Sequence, residues 1–198
     1  MPREELATSS KQSVEIAKRI GFPVVAKVVS AALAHKSDIG GVMIGLTTAD
    51  EVAAAYDTIL GRVAALNGKP GIDGVLIAEM VSGGLELVLG AHRDPEMGPV
   101  IVFGTGGVDI ELECDAALAA PDLDEAGALA LIARTKAGRR IKGTRGRPAL
   151  DSTALVDALI GLSRLIANAG DVIQSVDINP FLLRQTGGVA LDGLIVKR

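Results

Sequence analysis

Residues 75–103, VLIAEMVSGGLELVLGAHRDPEMGPVIVF, decide the fold. Three apolar runs, Val75 to Val81, Leu85 to Ala91 and Val100 to Phe103, are separated by Ser82-Gly83-Gly84 and by Asp94-Pro95-Glu96-Met97-Gly98, both rich in turn formers. No helical period intervenes, so the pattern predicts an antiparallel meander. Toward the N-terminus, Lys11 to Ile20 places Val14, Ala17 and Ile20 on one helical face, and Gly21-Phe22-Pro23 ends it. A strand is expected at Val24 to Val29 and, after a polar loop from Ser30 to Gly41, a second at Val42 to Leu46. Thr48-Ala49-Asp50-Glu51 is a capping box that opens a helix to about Leu66. Toward the C-terminus, helices are expected at Asp124 to Thr135 and Thr153 to Ala169, the second with Leu155, Leu159, Leu162 and Ile166 on one face. Strands at Val172 to Ile178, Phe181 to Leu183 and Val189 to Val196 close the chain.

Strands that follow one another, instead of alternating with helices, define an α+β class and argue against a Rossmann-type sheet. The Ser82-Gly83-Gly84 turn is the expected boundary between a small lobe, 1–81, and a larger lobe, 82–198. A content of 48% hydrophobic and 22% charged residues in 198 suits a globular chain with a real core. At 2% aromatic, that core is aliphatic. Cys114 alone forms no internal disulfide and no cysteine-based zinc site, so a reducing cytoplasm is the default expectation. No apolar run approaches the roughly 18 residues of a membrane span. A net charge of −4 speaks against general nucleic-acid binding. Arg134, Lys136, Arg139, Arg140, Lys142, Arg145 and Arg147 nevertheless form a basic stretch without an acidic residue, which suits a small anionic ligand or a solvated cationic face.

Several residues carry possible chemistry. Lys27 shares a strand face with Val25 and Val29, where an ammonium meets phosphate oxygens as a point charge or snorkels at a sheet edge. Glu79 and Glu86 flank the Gly83-Gly84 turn, placed to accept hydrogen bonds from an adenine amine and from ribose hydroxyls, or to sit in solvent. Gly104-Thr105-Gly106-Gly107 after the third run lets backbone amides approach a phosphate, but matches neither the P-loop nor the dinucleotide pattern. Glu111, Glu113, Asp115 and the pair Asp177 and Asn179, two apart on one strand face, offer hard oxygen donors of the kind magnesium takes. His35 lies in a polar loop, where it binds phosphate, accepts a phosphoryl group or does neither.

In their order these residues resemble the ATP-grasp domain of the NDP-forming acetyl-CoA and acyl-CoA synthetases, relatives of the nucleotide-binding subunit of succinyl-CoA synthetase. The resemblance runs from about Gly21 to the C-terminus, through GFPVVAKVVS at 21–30, HKSDIGGV at 35–42, Glu79-Met80-Val81, Gly84-Leu85-Glu86, Arg93-Asp94-Pro95, Gly98-Pro99-Val100, Gly104-Thr105-Gly106-Gly107, Gly143-Thr144-Arg145-Gly146 and Asp177-Ile178-Asn179-Pro180. It implies an ATP-grasp fold whose two lobes sandwich ATP or ADP. Lys27, Gly106 and Gly107 would lie at the phosphates, Glu79, Met80 and Val81 along the adenine edge, and Glu86 at the ribose. Glu111, Asp177 and Asn179 would hold Mg2+, Arg145 would neutralise the transferred phosphoryl group, and His35 would relay it. The activity implied is acid–CoA ligation forming ADP, through an acyl phosphate and a phosphohistidine.

Two departures from the family pattern stand out. The family usually has a further helix and strand ahead of the region at Lys11, which raises the prospect of a small lobe truncated at its N-terminus. It also usually carries arginine where Ala119 stands. The CoA-binding domains and the primary phosphohistidine are expected on an α subunit or on another part of the protein, leaving the chain inactive alone. The alternative reading is a catalytically decayed nucleotide-sensing or scaffold module associated with an acetyltransferase.

Overall fold

The structure, a computed structural model, describes residues 1–33, 36–68, 70–107, 115–143 and 146–198. His35, Glu111 and Arg145, three of the expected site residues, lie outside them. The chain forms two compact units, Pro2–Ser82 and Gly83–Arg198.

The N-terminal unit runs β1 (Glu4–Ala7), α1 (Ser10–Ile20), β2 (Val24–Val29), β3 (Val42–Leu46), α2 (Ala49–Ala64) and β4 (Gly74–Glu79). Its antiparallel sheet has the order β1-β4-β2-β3. The strand period of two turns Val24, Ala26, Val28, Val75 and Ile77 toward Ile16 and Ala17 of α1 and Val52, Ala55, Tyr56, Ile59 and Val63 of α2. The helix ends follow from local chemistry. Ser9 caps α1 by accepting from the Gln12 amide at 3.2 Å, and Gly21, at φ 97°, ends it. The capping box opens α2 as expected: the Glu51 amide donates to Thr48 Oγ1 at 3.2 Å, and Glu51 Oε2 accepts from the Thr48 amide at 3.2 Å.

The C-terminal unit contains β5 (Leu85–Asp94), β6 (Gly98–Thr105), β7 (Ala116–Ala119), α3 (Glu125–Ala133), α4 (Lys136–Ile141), α5 (Ser152–Asn168), β8 (Ile173–Leu183), β9 (Gly188–Ala190) and β10 (Leu194–Lys197). The strands form one antiparallel sheet in the order β10-β8-β5-β6-β7, with β9 also on β8. Leu85, Leu87, Leu89 and Ala91 of β5, with Ile101, Phe103, Ala117, Val176, Phe181 and Leu183, make the apolar face on which the three helices pack through residues such as Leu131, Ile141, Leu155, Leu159 and Ile166. Among the described residues, all three helices of this unit pack on that face, and Glu86 and Asp177 project from the opposite one.

The expected meander is corrected here. Val75 to Val81 does not pair with the run that follows; β4 joins β1 and β2, where its register buries Val75 and Ile77 beside Val24, Ala26 and Val28. The Gly83-Gly84 turn, with φ of 77° and 144°, carries the chain to the second sheet, and only β5 and β6 form a hairpin. The expected strands 172–178 and 181–183 are one strand, β8, whose register against β5 shifts where Asn179 and Pro180 intervene. Proline donates no ladder bond, which explains both the apparent break in sequence and the bulge. The expected strand at Val189 to Val196 is two, β9 and β10. Elements β1, β7 and α4 are short and carry no periodicity of their own. No helix among the described residues is long and apolar enough to cross a membrane.

Candidate functional site

In the N-terminal unit Lys27 lies on β2, an inner strand, paired with Val42 on one side and Leu76 on the other. Its neighbours Ala26 and Val28 enter the helix-packed core, so Lys27 emerges half-buried on the opposite face of the sheet. Snorkelling from a sheet edge is therefore not how this lysine is accommodated. Glu79, the last residue of β4, pairs through Oε2 with Arg3 Nε at 3.0 Å, and its amide donates to Arg3 O at 2.8 Å. The Met80 amide donates to Pro23 O at 3.2 Å, and half-buried Val81 follows. Both the Glu79 and the Met80 amides are thus engaged inside the unit. Arg3, the residue before β1, supplies this contact, which was not apparent from a polar N-terminal sequence.

In the C-terminal unit polar side chains project from the face of the sheet opposite its described helices. Glu86 alternates with the buried Leu85 and Leu87 and projects to that face. Asp177 pairs with Gly90 of β5 and Leu194 of β10 and is exposed, while its neighbours Val176 and Ile178 pack on the core. Gly106 donates to Glu86 O at 3.0 Å. The Gly107 amide donates to Asn179 Oδ1 at 3.1 Å, so Asn179 comes to the same side of the sheet as Asp177 across the bulge.

The glycines are required by close packing. A Cβ at Gly106 would strike the backbone of Leu87, and one at Gly107, whose φ is 75°, would strike the Glu86 carboxylate. The expectation that their amides face a phosphate is modified accordingly, because both are hydrogen-bonded within the unit. The β9–β10 turn adds a carboxylate that sequence spacing did not single out. Leu191 N–H donates to Pro180 O at 3.0 Å, and Gly193 lies close to Asp177 O, which bring the intervening Asp192 beside the Asp177–Pro180 segment.

Asp115 behaves unlike an open metal ligand. Its Oδ1 accepts from the Lys136 amide at 2.7 Å, and its Oδ2 accepts from the Ala137 amide at 2.9 Å and from Thr105 Oγ1 at 3.0 Å. Burial pushes this carboxyl up, but the two amides, the Thr105 hydroxyl and the Lys136 charge outweigh it and hold it below its ordinary range. Ala119 pairs with Ile101 on β7 and packs against the core, while Arg134 reaches the neighbouring Leu118 O at 2.8 Å. Among the described residues no three His, Cys, Asp or Glu side chains converge to hold a metal ion. Oxygen donors at Asp177, Asn179 and Asp192 are hard and few, the donor chemistry that suits magnesium bound together with phosphate oxygens and water.

Two antiparallel α+β units, one presenting a half-buried lysine and the other a carboxylate and amide cluster around a glycine turn, define an ATP-grasp fold. The chain belongs to this family: the ATP-grasp domain matches residues 1–196. Among individual proteins, the chain is 40% identical to a trans-feruloyl-CoA synthase of an unknown prokaryotic organism over 98% of this chain and 28% of that protein. It is 33% identical to the beta subunit of acetate–CoA ligase (ADP-forming) I of Pyrococcus furiosus, covering 99% of this chain and 84% of the subunit. The dinucleotide-forming acetyl-coenzyme A synthetase 1 of Ca. Korarchaeum cryptofilum, solved with coenzyme A and Ca-AMPCP, superimposes with a TM-score of 0.93 at 36% identity, covering 100% of this chain and 86% of that one. That synthetase has also been solved with Mg-AMPPCP, its phosphohistidine segment pointing towards the nucleotide binding site. The relatives are acid–CoA ligases, and this chain corresponds to their ATP-grasp, nucleotide-binding part. It spans little more than a quarter of the length of the trans-feruloyl-CoA synthase, at 28%.

Proposed function

We propose that the chain serves as the nucleotide-binding and phosphoryl-transfer part of an ADP-forming acyl-CoA synthetase, which joins a carboxylic acid to coenzyme A at the expense of ATP. The observation that carries the proposal is the meeting of Glu86 and Asn179 at the Gly106-Gly107 turn, with Asp177 two residues from Asn179 on the same strand, β8. Likeness to acid–CoA ligase parts along the whole chain supports this reading over a decayed scaffold.

In this reading Lys27 holds nucleotide phosphates as a point charge, and Glu79, Met80 and Val81 follow the adenine edge. With the Glu79 and Met80 amides engaged, carboxylate and carbonyl oxygens are what this segment offers the adenine amine. Glu86 accepts from ribose hydroxyls, the Gly106-Gly107 turn lies at the phosphates, and Arg145 neutralises phosphoryl charge. Asp177, Asn179 and Glu111 hold magnesium, with Asp192 a further carboxylate at the same strand segment. Bound magnesium would neutralise charge on the phosphate oxygens; the protein's own share is to fix donors and cations in position, which is most of what phosphoryl transfer asks of it. His35 relays the phosphoryl group, and the CoA-binding domains or α subunit supply the thioester chemistry.

The metal assignment is tested with Mn2+ as a paramagnetic substitute, titrated in the presence of ADP and followed by electron paramagnetic resonance. The chain should bind Mn2+ in an ADP-dependent manner, and an Asp177→Ala, Asn179→Ala double variant should lose that binding. Equal binding by a folded double variant overturns the assignment. For the relay, acid-labile phosphate that persists on a His35→Ala chain in the assembled enzyme would remove His35 from the path.

A further inference from the structure

We infer that Asp115 is a positioning residue that couples the phosphate-side glycine turn to the basic helix α4, Lys136–Ile141. The inference rests on the nucleotide reading for its consequence, but its geometry stands by itself. Three donors from two directions converge on one carboxylate. From the sheet, Thr105 donates its hydroxyl to Oδ2 at 3.0 Å, and the Thr105 amide donates to the Asp115 carbonyl at 3.1 Å. From the helical side, the first two amides of α4 donate to Oδ1 and Oδ2 at 2.7 and 2.9 Å. α4 already has its own cap in Thr135, whose hydroxyl accepts from the Gly138 amide at 2.9 Å. Asp115 therefore adds a second tie to an already capped helix, and that tie leads to the turn.

The fit is close on every side. Gly104 has no room for a Cβ against the Asp115 backbone, and Gly138 has none against Ile132 O. The sheet side of the link continues without a break: Thr105 is followed by Gly106, bound to Glu86 O, and Gly107, bound to Asn179 Oδ1. The helical side continues from Lys136 through Arg139, Arg140 and Lys142 into the stretch that holds Arg145 and Arg147. A single anionic side chain thus ties the turn beside the proposed ribose residue to the start of α4, a helix that carries Lys136, Arg139 and Arg140. An anion is the right choice for this post, because charge-assisted hydrogen bonds to amides are short and strong, and the negative charge lies at the positive end of the helix. With its donors in place, Asp115 is a clamp; the magnesium-ligand reading of this carboxylate does not fit.

The test uses the whole chain in three variants. Asp115→Ala cuts both arms, Thr105→Val cuts only the side-chain arm to the turn and leaves α4 tied, and Asp124→Ala removes a comparable cap from α3, where Asp124 accepts from the Gly127 amide at 2.7 Å. Two quantities are read: affinity for Mg-ADP against affinity for adenosine, and hydrogen exchange of the Gly106 and Gly107 amides. Asp115→Ala and Thr105→Val should weaken Mg-ADP by on the order of tenfold, leave adenosine unchanged and speed exchange at both glycines, as expected for losing a hydrogen bond to a charged group. Asp124→Ala should lower the melting temperature and change neither reading. The inference is overturned if Asp115→Ala and Thr105→Val behave like Asp124→Ala, or if adenosine weakens in step with Mg-ADP. Should the unaltered chain bind no Mg-ADP, the nucleotide reading fails, and the exchange data alone decide the clamp: faster exchange in Thr105→Val sustains it, unchanged exchange ends it.

Discussion

At the scale of one residue, the role proposed for Lys27 runs against the grain of the fold. An inner strand with partners on both sides selects for apolar or β-branched side chains, and Val24, Ala26 and Val28 obey on the core face. In the proposed function the half-buried ammonium on the other face meets anionic phosphate as a point charge. Gly107 carries a second constraint. Its φ of 75° strains any side chain, and a Cβ would also have to displace the Glu86 carboxylate, so Gly107→Ala should destabilise the chain by about 1–2 kcal/mol. Thermal denaturation reads this directly, and an unchanged midpoint would contradict the packing described. Strand alternation made Lys27 and Asp177 legible in the sequence, because a period of two assigns faces without knowledge of partners. Asp115 was legible only as an oxygen donor and Asp192 was not singled out, since their places depend on hydrogen bonds to segments away in the chain, at Lys136–Ala137 and at Pro180.

Elements with their own chemistry at the ends formed where their sequences say they should. The capping box of α2 is an example, and Thr48→Ala should cost about 1 kcal/mol, measured by denaturant unfolding. Several acidic side chains hold such ends and turns together. Hydrogen bonds from Thr47 lower the pKa of Glu51, amides of Met97 and Glu96 that of Asp94, and amides of Ala154 and Gly187 that of Asp151, which ties the start of α5 to the β8–β9 turn. Each folded-state value lies below its unfolded counterpart. Their stabilisation is therefore complete above the ordinary carboxylate range, near pH 4, and is lost as pH falls through the lower folded values. The melting temperature should be flat from neutral pH to about pH 5 and drop below about pH 4. A midpoint that holds steady to pH 3 would contradict this. The elements that sequence pattern missed share a physical cause: Glu4–Ala7, Ala116–Ala119 and Lys136–Ile141 are too short to show a period, and they are fixed by neighbours. β4 was legible as a strand, but its partners were not, because pairing is decided by which register buries Val75 and Ile77.

For the whole molecule, two hydrophobic cores rest on aliphatic residues almost throughout. Leu89, fully buried in the centre of the six-stranded sheet, should cost about 2–5 kcal/mol when cut to alanine, a loss that chemical denaturation would detect. With so few aromatic rings to fill gaps, neighbouring aliphatic side chains can relax only partly into that cavity. The chain matches P. furiosus acetate–CoA ligase subunit beta over 84% of the subunit's length, and the trans-feruloyl-CoA synthase over 28% of its length. A part of this kind is expected to bind nucleotide without forming a thioester by itself. The most direct measurement is calorimetric titration of the purified chain with Mg-ADP beside a Lys27→Ala variant. Saturable binding by the unaltered chain, weakened on the order of tenfold or more in the folded variant, is the predicted result. No binding by the folded chain, or the same affinity with and without the Lys27 ammonium, would contradict it.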